Sequence, residues 1–261
     1  VLAVAVAGPA ASLPVGRSAG TVVLAMDVSN SMSADDVAPS RLAAAQQAAL
    51  SFIDAQPDTV DIGVVGFDQG ALTTSPPGPD RAAAKAAVQN LRVSGGTSLA
   101  SAILGSLSAI TGKPVTIGKD GALPDLGNWG SATIVLFSDG EDSGGAGSDA
   151  VTAASTLAQN AGVHIEAVGV GTANGTTVEI DGYRVHTALD ADQLTAIAQT
   201  TGGSYHPASD TAELDGVAST IDLRLTVAKQ DVPLAGGLIG IALALLAVGV
   251  LLTGVRTGRL V

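Results

Sequence analysis

The stretch TVVLAMDVSNS at residues 21–31 decides the fold, because an unbroken apolar run ends abruptly in a polar loop. Such a run, without polar alternation, is typical of a strand that is buried on both faces of a parallel sheet. Comparable runs recur at 60–67, 131–139 and 163–171, with Ala-rich helical stretches between them. The alternation predicts an α/β fold: a doubly wound, Rossmann-like sheet of about six strands, mostly parallel, with helices on both faces.

The remaining elements complete this layout. ALTTS at 71–75 is predicted to be an antiparallel edge strand, because the connection that precedes it is short. TTVEIDGYRVHT at 176–187 has Asp-Gly at its centre and predicts a small β-hairpin, a candidate element for contact with a partner. A short strand is expected at GSYHPA and a surface loop at 111–130. Helices are predicted at 40–55, 79–91, 97–111, 148–161, 190–201 and 210–224.

Composition excludes several classes of function. The formal net charge of -12, with only 12 Lys and Arg spread over 261 residues, argues against nucleic-acid binding. No cysteine is present, which excludes a disulfide framework, a thiolate metal site and a cysteine nucleophile. Oxygen ligands therefore remain for a metal, and a partner that presents a free anion would have to be met by a cation.

Two segments suggest that the chain is attached to a membrane. Residues 234–255 are uncharged and mainly apolar, and as a helix they would extend about 33 Å, enough to span a bilayer. Arg256 begins a short basic tail at 256–261, so the positive-inside rule places the main domain on the extracytoplasmic side of a bacterial cell membrane. Residues 1–12 are interpreted as the tail of a truncated transmembrane or signal segment.

Polar residues with oxygen ligands follow the predicted strands. In DVSNS, at 27–31, Asp27, Ser29 and Ser31 occupy every second position directly after the first strand. Asp139 ends the strand at 131–139, and Thr97 lies in a GGTS turn before a helix. Ligands of open parallel sheets bind at the carboxyl ends of the strands, so these five side chains are expected to meet at one edge.

These residues resemble the metal-ion-dependent adhesion site of von Willebrand factor type A domains, with its Asp-x-Ser-x-Ser pattern, distant Thr and distant Asp. The resemblance covers roughly residues 20–225. It implies that Ser29 and Ser31 bind the metal directly and Thr97 directly or through water. Asp27 and Asp139 would act mainly through waters that their carboxylates orient.

The chemistry of such a site is suited to binding an acidic group of another protein. Mg²⁺ or Mn²⁺ favours octahedral oxygen coordination, and neutral hydroxyls in its inner shell leave much of its charge unquenched. A Glu or Asp from a partner protein would then complete the coordination sphere. Ca²⁺ is an alternative, although few carboxylates make a poor cage for it.

The whole chain resembles the bacterial BatA-type membrane proteins, a view that the stretch DVAPSRLAAAQ after the metal loop and the Asp-Gly hairpin strengthen. Members of that group are often associated with MoxR-type AAA+ ATPases. The resemblance implies a role in the assembly or maturation of envelope complexes.

An Mg²⁺-dependent aspartyl phosphatase of the haloacid dehalogenase type is the enzyme alternative, since it shares the sheet and a strand-end Asp. That class would place a second Asp at position 29, where this chain has Ser29. We therefore predict a binding module and not an enzyme. Asp68, Glu141 and Asp142 are expected to be solvated loop acids or to support the metal residues from behind.

Overall fold

The computed structural model describes residues 10–14, 20–118, 121–143, 147–180, 182–209 and 229–233, together with residues 213 and 248. The chain divides into two compact units, one at 18–226 and one made of 1–17 with 227–261. In the second unit, β1 (Ala10–Pro14) pairs antiparallel with β10 (Lys229–Pro233). The sequence did not predict this pair, because its two strands lie far apart along the chain.

The unit at 18–226 is built on a six-stranded sheet in the order β4-β3-β2-β5-β6-β9. Only β4, at the edge, runs antiparallel to its neighbour; the other described pairings in this sheet are parallel. This confirms the predicted mixed sheet. Its strands are β2 (Gly20–Asp27), β3 (Val60–Phe67), β4 (Ala71–Gly78), β5 (Ala132–Ser138), β6 (His164–Val170) and β9 (Tyr205–Ala208).

Helices cover both faces of the sheet, as predicted. One core joins the side chains of β2 such as Leu24 and Met26 to those of the first two helices, and the other joins Val23 and Ala25 to the last three. Alternate residues of one strand thus enter different cores, which explains its continuous apolar run. The helices are α1 (Arg41–Ala55), α2 (Arg81–Asn90), α3 (Leu99–Thr111), α4 (Gly147–Asn160) and α5 (Ala191–Thr201).

The predicted hairpin is present as β7 (Thr176–Ile180) and β8 (Tyr183–Thr187), which pair antiparallel outside the main sheet. Helix starts follow the expected capping chemistry: Ser40 accepts a hydrogen bond from the backbone NH of Ala43 at the start of α1. The predicted helix at 210–224 lies outside the described residues, apart from residue 213.

The predicted transmembrane helix requires a correction. In the part of the chain that the structure describes, no helix has the length and apolar character needed to cross a membrane. The longest described helix, α1, has 15 residues. At about 1.5 Å per residue it extends about 22 Å, short of a bilayer core of about 30 Å.

The stretch 234–255, on which that prediction rested, lies outside the described residues except for Val248, as does the basic tail at 256–261. For the described residues, the corrected fold class is an α/β fold with a mixed six-stranded sheet, to which no described helix adds a membrane span. The location in the cell membrane, with the domain on its extracytoplasmic side, depended on that helix and is withdrawn with it.

Candidate metal centre

The first part of the site is the loop that follows β2. Asp27 is fully buried at the end of the strand, and its Oδ1 accepts a hydrogen bond of 2.9 Å from the backbone NH of Ser29. The hydroxyl oxygens of Ser29 and Ser31 lie 3.0 Å apart. The every-second-position spacing therefore turns both hydroxyls toward one point, with the carboxylate behind them.

Thr97 reaches this loop from the turn before α3. The backbone NH of Asn30 donates to the carbonyl oxygen of Gly95 at 3.0 Å, which joins the two loops. A Cβ atom at Gly96 would lie 2.6 Å from Oγ of Ser143, so the turn needs a glycine there. The same Ser143 hydroxyl accepts a hydrogen bond of 2.8 Å from the backbone NH of Thr97, whose side chain is buried. Gly95 and Gly96 thus allow the backbone of this turn to approach the serine loop closely.

Asp139 supplies the third part, directly after β5. Because β2 and β5 are parallel neighbours, their carboxyl ends bring Asp139 beside the Asp27 loop. Asp139 is fully buried, and its Oδ1 accepts a hydrogen bond from the backbone NH of Glu141 at 3.2 Å. Ser31 is close enough to lower the pKa of this carboxyl.

The structure thus brings all five predicted residues together. The hydroxyl-bearing residues Ser29, Ser31 and Thr97 line one cavity of about 190 Å³. Asp27 and Asp139 are not among its lining residues: Asp27 accepts a hydrogen bond from the serine loop, and Asp139 is buried beside it after β5. The β7–β8 hairpin also lines this cavity, with Val178, Ile180, Val185 and Thr187.

Both buried carboxyl groups have raised pKa values. Burial raises the pKa of Asp27, and the nearby charge of Asp139 raises it further, to about 7, although hydrogen bonds from Ser138 and Ser29 work in the opposite direction. Burial also raises the pKa of Asp139, against the lowering effect of Ser31 and Arg41. A cation between these groups would favour their charged forms.

Arg41 is a residue of this site that the sequence did not predict. Its guanidinium is completely buried and donates from Nη1 to Oδ2 of Asp139 at 2.8 Å. It also forms a two-pronged ion pair with Asp36, at 2.7 and 2.8 Å. A Cβ atom at Gly171 would lie 2.9 Å from Nε of Arg41, so the glycine leaves room for the guanidinium.

Asp36 closes this network on its other side. Its Oδ2 accepts hydrogen bonds from both the backbone NH and the hydroxyl of Thr172, at 3.0 and 2.9 Å. Burial would raise the pKa of Asp36, but Arg41 and Thr172 outweigh it and lower the pKa to about 2. The carboxylate is therefore charged at neutral pH. In the sequence, Arg41 appeared only within the DVAPSRLAAAQ stretch, as the start of a helix.

The loop acids have different roles. Glu141 accepts hydrogen bonds from the hydroxyl of Thr187 at 2.8 Å and the backbone NH of Ala188 at 3.1 Å, so it supports the hairpin from behind and is not merely solvated. Asp68 fits the expectation of a loop acid: it accepts a hydrogen bond from the NH of Gly70, in an exposed turn. Asp142 also interacts with another group of the chain.

The donor set suits a hard divalent cation. Within the described ranges, no three His, Asp or Glu side chains gather as a metal-binding group. The oxygens at this edge come instead from three hydroxyls and two carboxylates. Hard oxygen donors of this kind, in front of a carboxylate pair with raised pKa values, match the ligand preference of Mg²⁺ or Mn²⁺. Ser29, Ser31 and Thr97 would hold it, with Asp27 and Asp139 behind them.

Comparison with known proteins agrees with this architecture. The model of the von Willebrand factor type A domain matches residues 22–141. A UPF0353 protein of Mycobacterium bovis is 35% identical over 260 residues, which cover 97% of this chain and 75% of that protein. The chain belongs to the UPF0353 family. A second member, from Nocardia farcinica, is 36% identical over 234 residues, or 85% of this chain and 68% of its own length.

Solved structures show the same fold. An aerotolerance-related membrane protein from Bacteroides fragilis superposes with a TM-score of 0.63 at 24% identity, over 79% of this chain and 98% of that one. BatB from Bacteroides thetaiotaomicron gives a TM-score of 0.61 at 23% identity, over 77% and 96%. At these identities the likeness concerns the fold alone. The predicted resemblance to von Willebrand factor type A proteins is confirmed.

Membership in this family supports a general protein-interaction role, since von Willebrand factor type A domains are typically non-enzymatic interaction modules, and no catalytic activity is indicated. The geometry also disfavours the phosphatase alternative. Both Asp27 oxygens already accept hydrogen bonds, from Ser29 and from the hydroxyl of Ser138 at 2.6 Å. The carboxylate is fully buried, which is a poor position for a nucleophile that must reach a phosphate.

Proposed function

We propose that this chain binds partner proteins through a divalent cation, with Mg²⁺ as the first candidate and Mn²⁺ or Ca²⁺ as alternatives. Asp27, Ser29, Ser31, Thr97 and Asp139 would hold the ion, and an acidic side chain of the partner would complete its coordination. One observation carries the proposal: three hydroxyl-bearing residues line a single cavity in front of two buried carboxylates.

The charges support an acidic ligand held through a cation. The chain has a formal net charge of -12, so a carboxylate on a partner would be repelled in the absence of a positive centre. Hydroxyl ligands add no negative charge to the ion, and Arg41 already compensates part of the charge of Asp139. A divalent cation bound here would supply the electrophilic centre for the partner's carboxylate.

The partner system proposed is a MoxR-type AAA+ ATPase, with a role in the assembly or maturation of protein complexes of the cell envelope. This part of the proposal rests on the resemblance of the DVAPSRLAAAQ stretch and of the Asp-Gly hairpin to BatA-type proteins. The chemistry of the site adds one requirement. The surface that the partner presents must carry an exposed Asp or Glu.

Thermal unfolding with and without Mg²⁺ tests the metal. A ligand at about one hundred times its Kd stabilises by about 2.7 kcal/mol, which for a chain of this size raises Tm by roughly 5–10 °C. We expect this rise in the wild type and its loss in the double variant Ser29→Ala, Ser31→Ala. Ser33→Ala is the matched control, since Ser33 is exposed in the same turn and should keep the full rise. If Mg²⁺ does not raise the Tm of the wild type, the proposal is wrong.

The partner is tested by affinity capture with the intact chain as bait, in Mg²⁺ and in EDTA. We expect a MoxR-type ATPase to be recovered in Mg²⁺ and lost both on chelation and with the Ser29→Ala, Ser31→Ala bait. Recovery that is equal under all three conditions would contradict binding through the cation.

A further inference from the structure

The β7–β8 hairpin has one apolar face and one polar face. Val178 pairs with Val185 and Ile180 pairs with Tyr183. Residues that are opposite each other in an antiparallel pair share a face, as do alternate residues of one strand, so these four side chains lie together. The other face of the ribbon carries the polar side chains of Thr177, Glu179, Arg184 and His186.

The apolar face is turned toward the candidate metal centre. Val178, Ile180 and Val185 line the cavity of about 190 Å³ that the hydroxyl-bearing residues of the serine loop also line. The lining is therefore mixed: it combines hydroxyl oxygens and the acid Glu141 with the aliphatic side chains of the hairpin. Its volume is below the roughly 300–1,000 Å³ typical of drug-sized ligands, so it suits a group of side-chain size.

The chain covers this apolar face only in part. Val178 is 7% exposed, but Val185 is 42% exposed and Tyr183, at the tip, is 75% exposed. A two-stranded ribbon is stable only when one face is packed, and Val178 alone provides buried packing in the middle of this one. Aliphatic surface left open inside a cavity beside polar donors is a usual feature of a binding site.

The hairpin is held in place at its base. The hydroxyl of Thr187, at the end of β8, donates to Glu141 at 2.8 Å and accepts from Nη1 of Arg41 at 3.1 Å. The next backbone NH, of Ala188, also donates to Glu141. Since Arg41 in turn binds Asp139, the hairpin is joined to a residue of the metal centre through two hydrogen bonds. These bonds hold the base of the hairpin beside the metal centre.

We propose that the hairpin determines which acidic groups the site accepts: a carboxylate that reaches Ser29, Ser31 and Thr97 must carry aliphatic carbon beside it to pack on Val178, Ile180 and Val185. The occupant is a partner segment in which Asp or Glu lies next to a small branched aliphatic side chain. This inference rests on the proposed metal-dependent binding and adds the selectivity for the ligand. The mixed lining of the cavity is its support.

Two small carboxylates provide the test, because they differ only in aliphatic carbon. The chain, with its Val, Leu and Ile methyl groups labelled for NMR, is titrated with sodium acetate and with sodium isovalerate in saturating Mg²⁺ and again in EDTA. We expect both to bind only with Mg²⁺ and isovalerate to bind about tenfold more tightly, in line with the effect of added methylenes in an apolar pocket. The methyl signals of Val178, Ile180 and Val185 should shift with isovalerate.

Variants on the two faces of the hairpin sharpen the test. Ile180→Thr with Val185→Thr keeps β-branched side chains at partly exposed positions and should abolish the preference for isovalerate, so that the ratio of the two affinities falls to about one. His186→Thr, on the polar face, should keep the preference. Mg²⁺-dependent binding of both acids with equal affinity in the wild type would overturn the role of the hairpin and leave the metal proposal intact. Failure of both acids to bind in Mg²⁺ would overturn the metal proposal itself.

Discussion

Asp27 and Asp139 end neighbouring strands of the sheet and are equally buried, yet their surroundings differ. Asp139 receives the guanidinium of Arg41 at 2.8 Å. Asp27 receives only neutral donors, the backbone NH of Ser29 and the hydroxyl of Ser138, and forms no ion pair among the described residues. One half of the site is thus neutralised by the chain itself, and the other half is open to an external cation.

This difference separates two functions within one site. The Asp139 half belongs to a network in which Arg41, Asp36, Thr172 and Thr187 satisfy one another, so it acts as structural support. The Asp27 carboxyl receives only neutral donors, and burial together with the nearby charge of Asp139 raises its pKa to about 7. Burial also raises the pKa of Asp139, but there the guanidinium of Arg41 opposes the rise. Variants in the two halves should therefore change different properties.

The largest effect is expected from Arg41→Met. The change leaves Asp36 and Asp139 buried without their counter-charge, and breaking a buried ion pair in this way costs about 3–5 kcal/mol. Urea unfolding measures the loss in free energy of unfolding. Lys85→Met is the control: Lys85 pairs with Asp54 at the surface, where a lost pair costs at most about 1 kcal/mol. Equal losses in the two variants would contradict the structural role of the Asp139 half.

The pH dependence of stability tests the Asp27 half. In the absence of divalent cations, Asp27 in the folded chain keeps its proton up to about pH 7, whereas the unfolded chain loses it near pH 3.8. The folded state therefore binds the extra proton between these values, and stability falls as pH rises from about 4 to 7. The slope from this one group is at most about 1.4 kcal/mol per pH unit.

Asp27→Asn should flatten that slope, as measured by urea unfolding at a series of pH values in EDTA. Asp36→Asn is the matched control, because its pKa is lowered to about 2. The stabilisation from Asp36 is present above about pH 4 and is lost as pH falls below it, so its variant should keep the decline between pH 4 and 7. If the stability of Asp27→Asn still falls as steeply between pH 4 and 7, the group that binds the extra proton in the folded state is not Asp27.

The same division explains what the sequence could predict. The Asp27 half could be predicted from one short stretch of sequence: the apolar run of β2 ends at Asp27, and Ser29 and Ser31 follow at fixed spacing. The sheet was equally predictable, because each buried strand is a continuous apolar run. The family pattern then located Thr97 and Asp139 at the ends of their elements.

The support of the site was not predictable in this way. Arg41 lies 98 positions from Asp139 and 146 from Thr187, so no local pattern connects these residues. An arginine in the first turn of a helix suggests a solvated side chain, and only the packed fold shows that it is buried. The membrane helix was inferred from hydropathy alone, and no described helix has the length to support it.

The smallest effect is expected from Thr187→Val, which tests whether the two halves are independent. The variant keeps the shape of the side chain but removes the hydrogen bonds to Arg41 and Glu141, which retain their other partners. A loss of about 1–2 kcal/mol in the free energy of unfolding is expected for buried groups left partly unsatisfied. Thr177→Val, on the exposed face of the same hairpin, should change stability by less than about 0.5 kcal/mol.

Binding of Mg²⁺ by Thr187→Val, measured by calorimetry, completes this test. If Thr187 and Arg41 support the hairpin without orienting the groups that bind the cation, the variant should lose stability but keep its affinity for Mg²⁺ within about twofold of the wild type. A fall in Mg²⁺ affinity of tenfold or more, as expected on losing a residue that orients metal ligands, would contradict the division. Thr187 and Arg41 would then orient Asp139 toward the cation.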